Sequence, residues 1–538
     1  MGSDPEGDNG MKSRRLPGAP AQVNAGQSNR KTAMALLAAA MTASLLFGFS
    51  GAHAEQAKRG GTLTVGLAQD PLMVDPIRTG TFTERQFSTP VYEALFDIVE
   101  NGSAQPFLAE KYQVSDDMKT YTITLRSGIK FHDGTPLNAA AVVANLERTR
   151  NPENRCRCLS TLEDITDVRA VDDLTVEIRL SRPNAALPTV LADAGGIMVS
   201  PTAFKADPTA INTHPVGTGP FKFVEWVRGS RFVVEKFPGY WQEGLPYLDR
   251  IVMRGIQNTV TLEAAFQSGQ IDIIMQPSFR FVAQMKANKS VNVLSPAGFG
   301  TEGVYMNLKQ PPFDDVRIRR AIAHSINREL LRKTLAYGVP TLAYSPFGPG
   351  MDVTQPTDGY PEYDLEKAKA LIAEYGKPVE FTFQYNNTPL TNQFAQSLQE
   401  MWSKAGMKVN LEPLDQNRLV QNMSSSQFVA SLYRFTGRAD PHTNTYSFLH
   451  SKFADVTPSS NYGGISSPKI DELLERGMST IDPQERKKIY SELAREVVNV
   501  LPTAYTYNVT DSIVTSNKVK GVTVIPDGLV RFAKVWRE

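Results

Sequence analysis

Residues 214–241, HPVGTGPFKFVEWVRGSRFVVEKFPGYW, contain the pattern from which the fold of this chain is most directly inferred. Apolar Phe221 and Phe223 alternate with other residues, Gly229 and the serine after it mark a turn, and a second apolar run follows from Phe232. Alternation on both sides of a short glycine turn predicts an antiparallel β-hairpin. A hairpin alone is compatible with many folds, so the rest of the chain has to specify which one.

Length and composition indicate a large globular protein of more than one lobe. Single hydrophobic cores stop growing at about 250 to 300 residues, and this chain has 538 residues. It is 41% hydrophobic and 21% charged, with a formal net charge of +1. This balance gives no electrostatic indication of nucleic acid or acidic membranes as partners.

The N-terminal segment has the features of an export signal. Two basic residues, Arg30 and Lys31, precede an apolar run over 33–49, and Ala52-His53-Ala54 supplies a small-x-small cleavage pattern. We therefore expect residues 1–54 to be a cleaved signal peptide with an extended polar start, and a membrane anchor is the alternative. No cysteine follows the apolar run, which predicts a periplasmic protein without a lipid anchor.

Cysteine and histidine usage gives little support to a metal site. The only cysteines, Cys156 and Cys158, predict either a local disulfide or two free thiols in a loop. Asp440, His442 and His450 cluster in sequence, but their spacing matches no strong metal template. We expect polar loop residues there and no cofactor.

The two halves of the chain differ in the spacing of their apolar residues. The first half is β-rich, with alternating strands near residues 62–67, 121–125 and 174–180 and a helix over 138–150. In the second half, a helix is predicted from Asp314-Asp315 to Gly338, and a strand, helix and strand over 379–411 indicate a parallel βαβ unit. The order of these patterns predicts an α/β protein.

The loop after a further strand, from Arg434 to Asp440, is the predicted ligand site, because open parallel sheets bind ligands beyond the carboxyl ends of their strands. A carboxylate can hold a ligand ammonium, and an arginine fork can hold a ligand carboxylate. A zwitterion such as a short peptide would suit both. An internal salt bridge between Arg438 and Asp440 is the alternative.

Enzyme motifs are missing from the sequence. There is no phosphate-binding G-x-x-x-x-G-K-[ST] loop, no G-x-S-x-G nucleophile elbow and no H-E-x-x-H helix. We therefore predict a carrier rather than an enzyme, and a secreted hydrolase is the rival class.

Five blocks carry a resemblance to a known family, and they are LAEKYQVSDDMKTYTITLRSGIKFHDG at 108–134, PVGTGPFKFVEWV at 215–227, FPGYW at 237–241, LEAAFQSGQIDI at 262–273 and PPFDDVRIRRAIAHSINRE at 311–329. The chain resembles the family 5 extracellular solute-binding proteins of ATP-binding-cassette (ABC) importers, which include dipeptide-, oligopeptide- and nickel-binding members. The resemblance runs from about residue 60 to the C-terminus.

The resemblance implies a two-lobed periplasmic-binding-protein fold of type II, similar to cluster C, with an extra subdomain inserted in lobe one. On this template, lobe one is 55–98, 217–297 and 503–538, the insert is 99–216, and lobe two is 298–502. The ligand would lie between the lobes and pass to an inner-membrane permease that has separate ATPase subunits. We expect a monomer that imports di- or oligopeptides, and a metal chelate, an opine or another small polar solute is the alternative ligand.

Seven site residues follow from the resemblance. Asp440 matches an aspartate that holds the peptide α-amino group in peptide-binding members, and the remaining candidates near the cleft are Arg438, Phe435, Phe82, Thr83, Tyr305 and Asn307. Two positions depart from the pattern of relatives. Ala141 replaces a frequent acid, and Phe435 replaces a frequent tryptophan.

Overall fold

The computed structural model describes residues 57–100 and 102–538, and within them the predicted hairpin is confirmed. Strands Phe221–Val227 and Arg231–Lys236, β8 and β9 in chain order, pair antiparallel around the turn at Gly229, where φ is +69°. Glycine accepts this left-handed conformation without steric cost. The predicted export signal at residues 1–54 lies outside the described residues.

The hairpin forms one edge of a mixed seven-stranded sheet. Its strand order is β12-β18-β11-β1-β10-β9-β8, in which β1 runs parallel to β10 and β11. The remaining strands are β1 Thr62–Leu67, β10 Arg250–Gly255, β11 Ile273–Met275, β12 Val291–Leu294 and β18 Ile513–Ser516. Residues from both ends of the described chain therefore share one sheet.

A four-stranded antiparallel sheet forms a separate layer between β1 and β8 in the chain. Its order is β4-β5-β7-β6, and the strands are β4 Ala109–Val114, β5 Thr120–Leu125, β6 Ile165–Ala170 and β7 Thr175–Leu180. Helix α2, Ala139–Arg150, begins after Asn138, whose side chain accepts a hydrogen bond from the backbone N–H of Ala141. The buried side chains of this layer form their own hydrophobic cluster.

A five-stranded sheet organises the second half of the chain. Its order is β15-β14-β16-β13-β17, and the strands are β13 Thr301–Met306, β14 Glu380–Asn386, β15 Lys408–Leu414, β16 Ala430–Phe435 and β17 Thr503–Asn508. Strands β14 and β15 are parallel and are joined by helix α10, Pro389–Lys404, so the predicted βαβ unit is confirmed. The loop after β16 leaves the carboxyl end of a strand, where α/β sheets place their binding sites.

Short sheets and helices complete the described part of the chain. The short sheets pair β2 Phe96–Ile98 with β3 Ala104–Pro106, β19 Val519–Lys520 with β22 Trp536–Arg537, and β20 Thr523–Val524 with β21 Val530–Arg531. The other helices are α1 Phe82–Ser88, α3 Leu187–Val190, α4 Pro201–Ala206, α5 Thr259–Gln267, α6 Phe279–Met285, α7 Val316–Ser325, α8 Arg328–Thr334, α9 Leu365–Tyr375, α11 Gln416–Ser424, α12 Pro441–Leu449, α13 Pro468–Met478 and α14 Pro483–Val500.

The helix predicted from Asp314-Asp315 to Gly338 is two helices, so that prediction is wrong in its middle. Asp315 caps α7 as expected, but Ile326 is extended at φ −90° and ψ 110°. The Asn327 side chain then accepts a hydrogen bond from the N–H of Leu330 and starts α8. Asparagine competes for backbone N–H groups and favours caps, so the helix ends here although the four-residue apolar spacing continues to Leu330.

The sheets give the proposed lobes separate cores, although the boundaries themselves stay a prediction. One large buried cluster lies around the seven-stranded sheet and another around the five-stranded sheet. Strand β17, which the predicted boundary at residue 503 assigns to lobe one, pairs with β13 in the five-stranded sheet. Both crossings of the chain between the large sheets are therefore short, at residues 295–300 and 509–512.

Truncation of Trp402 tests how the core around the five-stranded sheet is packed. It is fully buried on α10, with its ring centroid 5.5 and 5.0 Å from those of Phe381 and Phe383. Because truncation leaves a cavity that the sheet cannot fill, Trp402→Ala should lower the free energy of unfolding by roughly 3–5 kcal/mol in urea titrations followed by circular dichroism. Leu390→Ala, on the same helix but 45% exposed, should stay within about 0.5 kcal/mol of wild type. Equal stability of the two variants would contradict this packing.

Candidate ligand-binding cavity

A cavity of about 820 Å³ lies between walls formed by the seven-, four- and five-stranded sheets and the segments around them. Its lining comes from segments within residues 76–107, 157–197 and 220–242, from Phe299, from 435–460 and from 523–534. Pockets that enclose small molecules span about 300 to 1,000 Å³. The cavity therefore has the size of a small-molecule or short-peptide site.

Arg438 projects from the loop that follows β16, and two local features hold it. Gly437 has φ +82°, and a Cβ there would lie 2.5 Å from the backbone nitrogen of Gly300, so only glycine fits. The N–H of Arg438 donates to the side-chain oxygen of Asn444 at 2.9 Å, and its Nη1 donates to the carbonyl of Gly437 at 2.9 Å. The guanidinium therefore leaves the loop in a defined direction and lines the cavity.

Asp193 faces the cavity from a tight turn before the short 3-10 helix Ala194–Gly196. A Cβ at Gly196 would lie 2.0 Å from the carbonyl oxygen of Leu191, so the turn requires glycine there. The carboxylate of Asp193 lies 3.3 Å from Arg438 and 3.5 Å from Arg85. Burial opposes ionisation of Asp193, but the two arginines outweigh it and keep the pKa of Asp193 below its ordinary value.

Arg85 belongs to α1, whose start is fixed by a capping box. The Thr81 hydroxyl accepts from the N–H of Glu84, and the Glu84 carboxylate accepts from the N–H of Thr81. Arg85 donates to Asp527 at 2.8 Å, and Arg531 pairs with Asp97 at 2.8 Å. Cations and anions thus alternate along this wall.

Glu93 is a buried carboxyl group at the edge of the cavity. It accepts hydrogen bonds from the Tyr240 hydroxyl at 2.6 Å, from the Trp241 indole at 3.0 Å and from the Thr218 hydroxyl at 3.2 Å. Burial raises the pKa of Glu93 to about 7, although these hydrogen bonds act in the opposite direction. Its oxygens already have protein partners.

A disulfide places another arginine at the rim. Cys156 and Cys158 are bonded, which selects the first of the two predicted states, and both Cys158 and the intervening Arg157 line the cavity. The Arg157 guanidinium packs over Gly80. A Cβ added at Gly80 would lie 2.4 Å from Nη1 of Arg157. The short closed loop therefore limits where this guanidinium can lie.

Asp440 does not line the cavity, because its carboxylate is occupied within the protein. Arg486 of α14 donates to its two oxygens at 2.7 and 2.9 Å, and the N–H of His442 donates at 2.8 Å as α12 begins. Burial disfavours the charged form, but Arg486 more than offsets this and holds the pKa of Asp440 below its ordinary value. The alternative Arg438–Asp440 salt bridge is not formed, since Arg438 pairs with Asp193.

The other predicted site residues divide between the cavity and the core. Phe435 lines the cavity, and it also borders a separate cavity of about 30 Å³ that Tyr305 lines. Asn307 is buried and donates to the carbonyl of Phe428, whereas Phe82 and Thr83 are buried on the inner side of α1. The structure thus brings Arg438 and Phe435 together in the large cavity and leaves the other five outside its lining. Their part in ligand binding stays a prediction.

Sequence reasoning did not find Arg85, Asp193, Asp527 or Arg531, all of which line the cavity. Their signals are weak because each is a single charged residue in a segment far from the β16 loop. The Ala194-Gly195-Gly196 turn after Asp193 was the most accessible indication of a constrained position.

Two features are absent from the described residues, 57–100 and 102–538. No helix among them has the length and apolar character needed to cross a membrane. No group of three or more histidine, cysteine, aspartate or glutamate side chains among them is arranged to hold a metal ion.

The chain belongs to the bacterial extracellular solute-binding proteins of family 5. A profile described as "Bacterial extracellular solute-binding proteins, family 5 Middle" matches residues 103–455. Members of this class bind small ligands for ABC importers, in which a permease and an ATPase carry out transport. The chain is therefore a solute-binding protein and not an enzyme.

Relatives and solved structures agree with this assignment. The glutathione-binding protein GsiB of Pectobacterium atrosepticum is 30% identical over 514 residues, which cover 92% of this chain and 97% of the relative. The periplasmic binding protein DppA from Helicobacter pylori, solved with the peptide STSA, has a TM-score of 0.79 at 24% identity and covers 89% of this chain and 99% of its own. AgaA from Agrobacterium tumefaciens R10, solved with agropinic acid, has a TM-score of 0.77 at 26% identity, with coverage of 89% and 99%. The predicted α/β, two-lobed fold is confirmed.

The Asp440–Arg486 pair gives a stability prediction with a pH dependence. Asp440→Asn leaves a buried guanidinium without its counter-charge, so the free energy of unfolding should fall by roughly 3–5 kcal/mol at pH 7. The folded-state pKa of Asp440 is depressed, so its contribution is present above the unfolded value and is lost as pH falls through the folded one. Urea titrations should therefore show the gap between wild type and variant shrinking below about pH 4.

The matched control is Glu485→Gln, next to Arg486 on α14, where the carboxylate forms an exposed pair with Lys488. Its effect should stay within about 0.5 kcal/mol. A gap for Asp440→Asn that does not change with pH would contradict an ionised Asp440.

Proposed function

We propose that this chain is the substrate-binding component of an ABC importer and that it captures short peptides in the 820 Å³ cavity and delivers them to the permease. The observation that carries the proposal is the alternation of guanidinium and carboxylate groups on the cavity wall. A peptide brings an ammonium, a carboxylate and hydrogen-bonding amides, and such a wall can pair with all three. The peptide in DppA and the glutathione in the name of GsiB support the same ligand class.

The cavity closes by contacts between the four-stranded layer and the part of the chain that carries the five-stranded sheet. Arg182 pairs with Glu475 at 3.2 Å and donates to the Tyr446 hydroxyl at 2.8 Å, and Lys452 pairs with Glu163 at 2.8 Å. A ligand shifts the lobes toward this arrangement only if it binds it better than an open one. Charged ligand groups that contact both walls supply such a difference.

We also propose that the protein is a monomer. A signal peptide directs it to the periplasm and is cleaved after Ala54, and the mature protein carries no lipid anchor. The basic pair, the apolar run and the small-x-small pattern support export, and the absence of a cysteine after that run supports a soluble mature form. N-terminal sequencing and light scattering of the exported protein test these points together. A protein that starts elsewhere or remains with the membrane fraction would overturn them.

Native mass spectrometry of protein purified from its host tests the ligand class. Short peptides should be released intact on mild denaturation, and chelator treatment should leave their binding unchanged. Release of a metal–histidine complex, or of a solute such as agropinic acid, would overturn the peptide proposal and keep the carrier role. Recovery of shortened peptides after incubation would instead favour a hydrolase.

A cavity-filling variant tests the location of the site. Ala439 lines the cavity beside Arg438, so Ala439→Trp should weaken binding of any released peptide at least tenfold by isothermal titration calorimetry, because the indole occupies ligand space. The control is Ala373→Trp on α9, where residue 373 is exposed. Equal affinities for the two variants would place the ligand elsewhere.

A further inference from the structure

A chain of alternating charges crosses the cavity from one wall to the other. It runs from Asp527 to Arg85 at 2.8 Å, from Arg85 to Asp193 at 3.5 Å and from Asp193 to Arg438 at 3.3 Å. The first three residues belong to the wall beside the seven- and four-stranded sheets, and Arg438 belongs to the loop after β16. The Asp193–Arg438 contact is therefore the link of this chain that joins the two walls.

This contact is the most exposed of the three. It joins Nε of Arg438 to Oδ2 of Asp193, and within residues 57–100 and 102–538 no hydrogen bond accompanies it. The two side chains are 37% and 30% exposed. A pair this exposed contributes little to stability, so new partners can replace it at small cost. The Asp440–Arg486 pair, with two short hydrogen bonds, is the opposite case.

Other carboxylates at the cavity are better satisfied than Asp193. Glu93 accepts from three side chains, and Asp527 accepts from Arg85 at 2.8 Å and from the N–H of Leu529 at 3.0 Å. Asp97 accepts two hydrogen bonds from Arg531, at 3.2 and 2.8 Å. Of these four carboxylates, Asp193 thus retains the most unused capacity to accept hydrogen bonds from a cation.

Arg438 has unused donors in the same place. Its Nη1 donates to the carbonyl of Gly437 and its Nε faces Asp193, but its Nη2 has no partner among the described residues. An arginine fork with free donors can hold a ligand carboxylate through two parallel hydrogen bonds.

We propose that Asp193 and Arg438 form one charged subsite, in which a ligand ammonium binds Asp193 and a ligand carboxylate binds Arg438, replacing their direct contact. Because the two protein groups touch each other, the ligand charges that they bind must also be adjacent. The subsite therefore selects an α-amino-acid head, with ammonium and carboxylate on one carbon, over the separated termini of an ordinary peptide. This inference rests on the proposed capture of solutes in the cavity, and it assigns no ligand role to Asp440.

Two isomeric tripeptides test the subsite. Glutathione is γ-linked, so its glutamyl residue keeps an ammonium and a carboxylate on one carbon, whereas the α-linked isomer Glu-Cys-Gly uses that carboxylate in a peptide bond. The isomers have the same composition and net charge. By calorimetry under reducing conditions, wild type should bind the γ-linked isomer at least tenfold more tightly.

Asp193→Asn should remove this preference by weakening γ-linked binding at least tenfold, and Arg438→Gln should do the same. Asp97→Asn, which alters a cavity carboxylate outside the chain of contacts from Asp527 to Arg438, should keep the preference. A thermal unfolding midpoint within a few degrees of wild type would confirm that the Asp193→Asn and Arg438→Gln variants are folded. Each variant tests the subsite independently of the other.

Any one of the following outcomes would overturn the inference. These are equal binding of the two isomers by wild type, an unchanged preference in Asp193→Asn, and loss of the preference in Asp97→Asn instead. Equal binding of both isomers would leave peptide capture standing. Binding of neither isomer, with α-linked peptides recovered from the native protein, would likewise overturn the subsite alone, whereas recovery of no peptide at all would overturn the proposed function.

Discussion

The buried pair of Asp440 and Arg486 is the constraint on which the cavity wall depends. Asp440 caps α12 and accepts two hydrogen bonds from the guanidinium of Arg486 on α14, so it joins two helices to the end of β16. A carboxylate buried in this position is costly unless it is paired, and pairing uses the oxygens that a ligand would need. The loop thus gains a fixed shape and offers Arg438, two residues earlier, to the cavity.

Local patterns predicted most of the elements, because turns, caps and apolar periodicity act over a few residues. The hairpin within 214–241, the βαβ unit and the helix at 139–150 follow from such patterns. The break at Asn327 was not predicted because the apolar residues at every fourth position, Ile318, Ile322, Ile326 and Leu330, continue through it. The cavity was only partly predictable. Phe435 and Arg438 follow a strand end, whereas Asp193 faces Arg438 through a tertiary contact between residues 245 positions apart in the sequence, which no short-range pattern encodes.

Charge balance in the cavity suits a carrier that must also release its ligand. Arg85, Arg438 and Arg531 are each within ion-pair distance of an aspartate, so an arriving zwitterion exchanges one set of pairs for another. No net charge is newly buried in that exchange. The free energy of binding is therefore a difference between two sets of similar ion pairs. Selectivity then depends on how the ligand charges are spaced more than on how many there are.

The seven-stranded sheet also determines when the molecule can fold. Strand β18, at residues 513–516, lies between β11 and β12, and β1, at 62–67, lies between β10 and β11. The sheet therefore has a gap until nearly the whole chain has been synthesised, and pairings between such distant segments form slowly. A sheet that needs its last strand therefore delays the completion of the fold until the chain is complete.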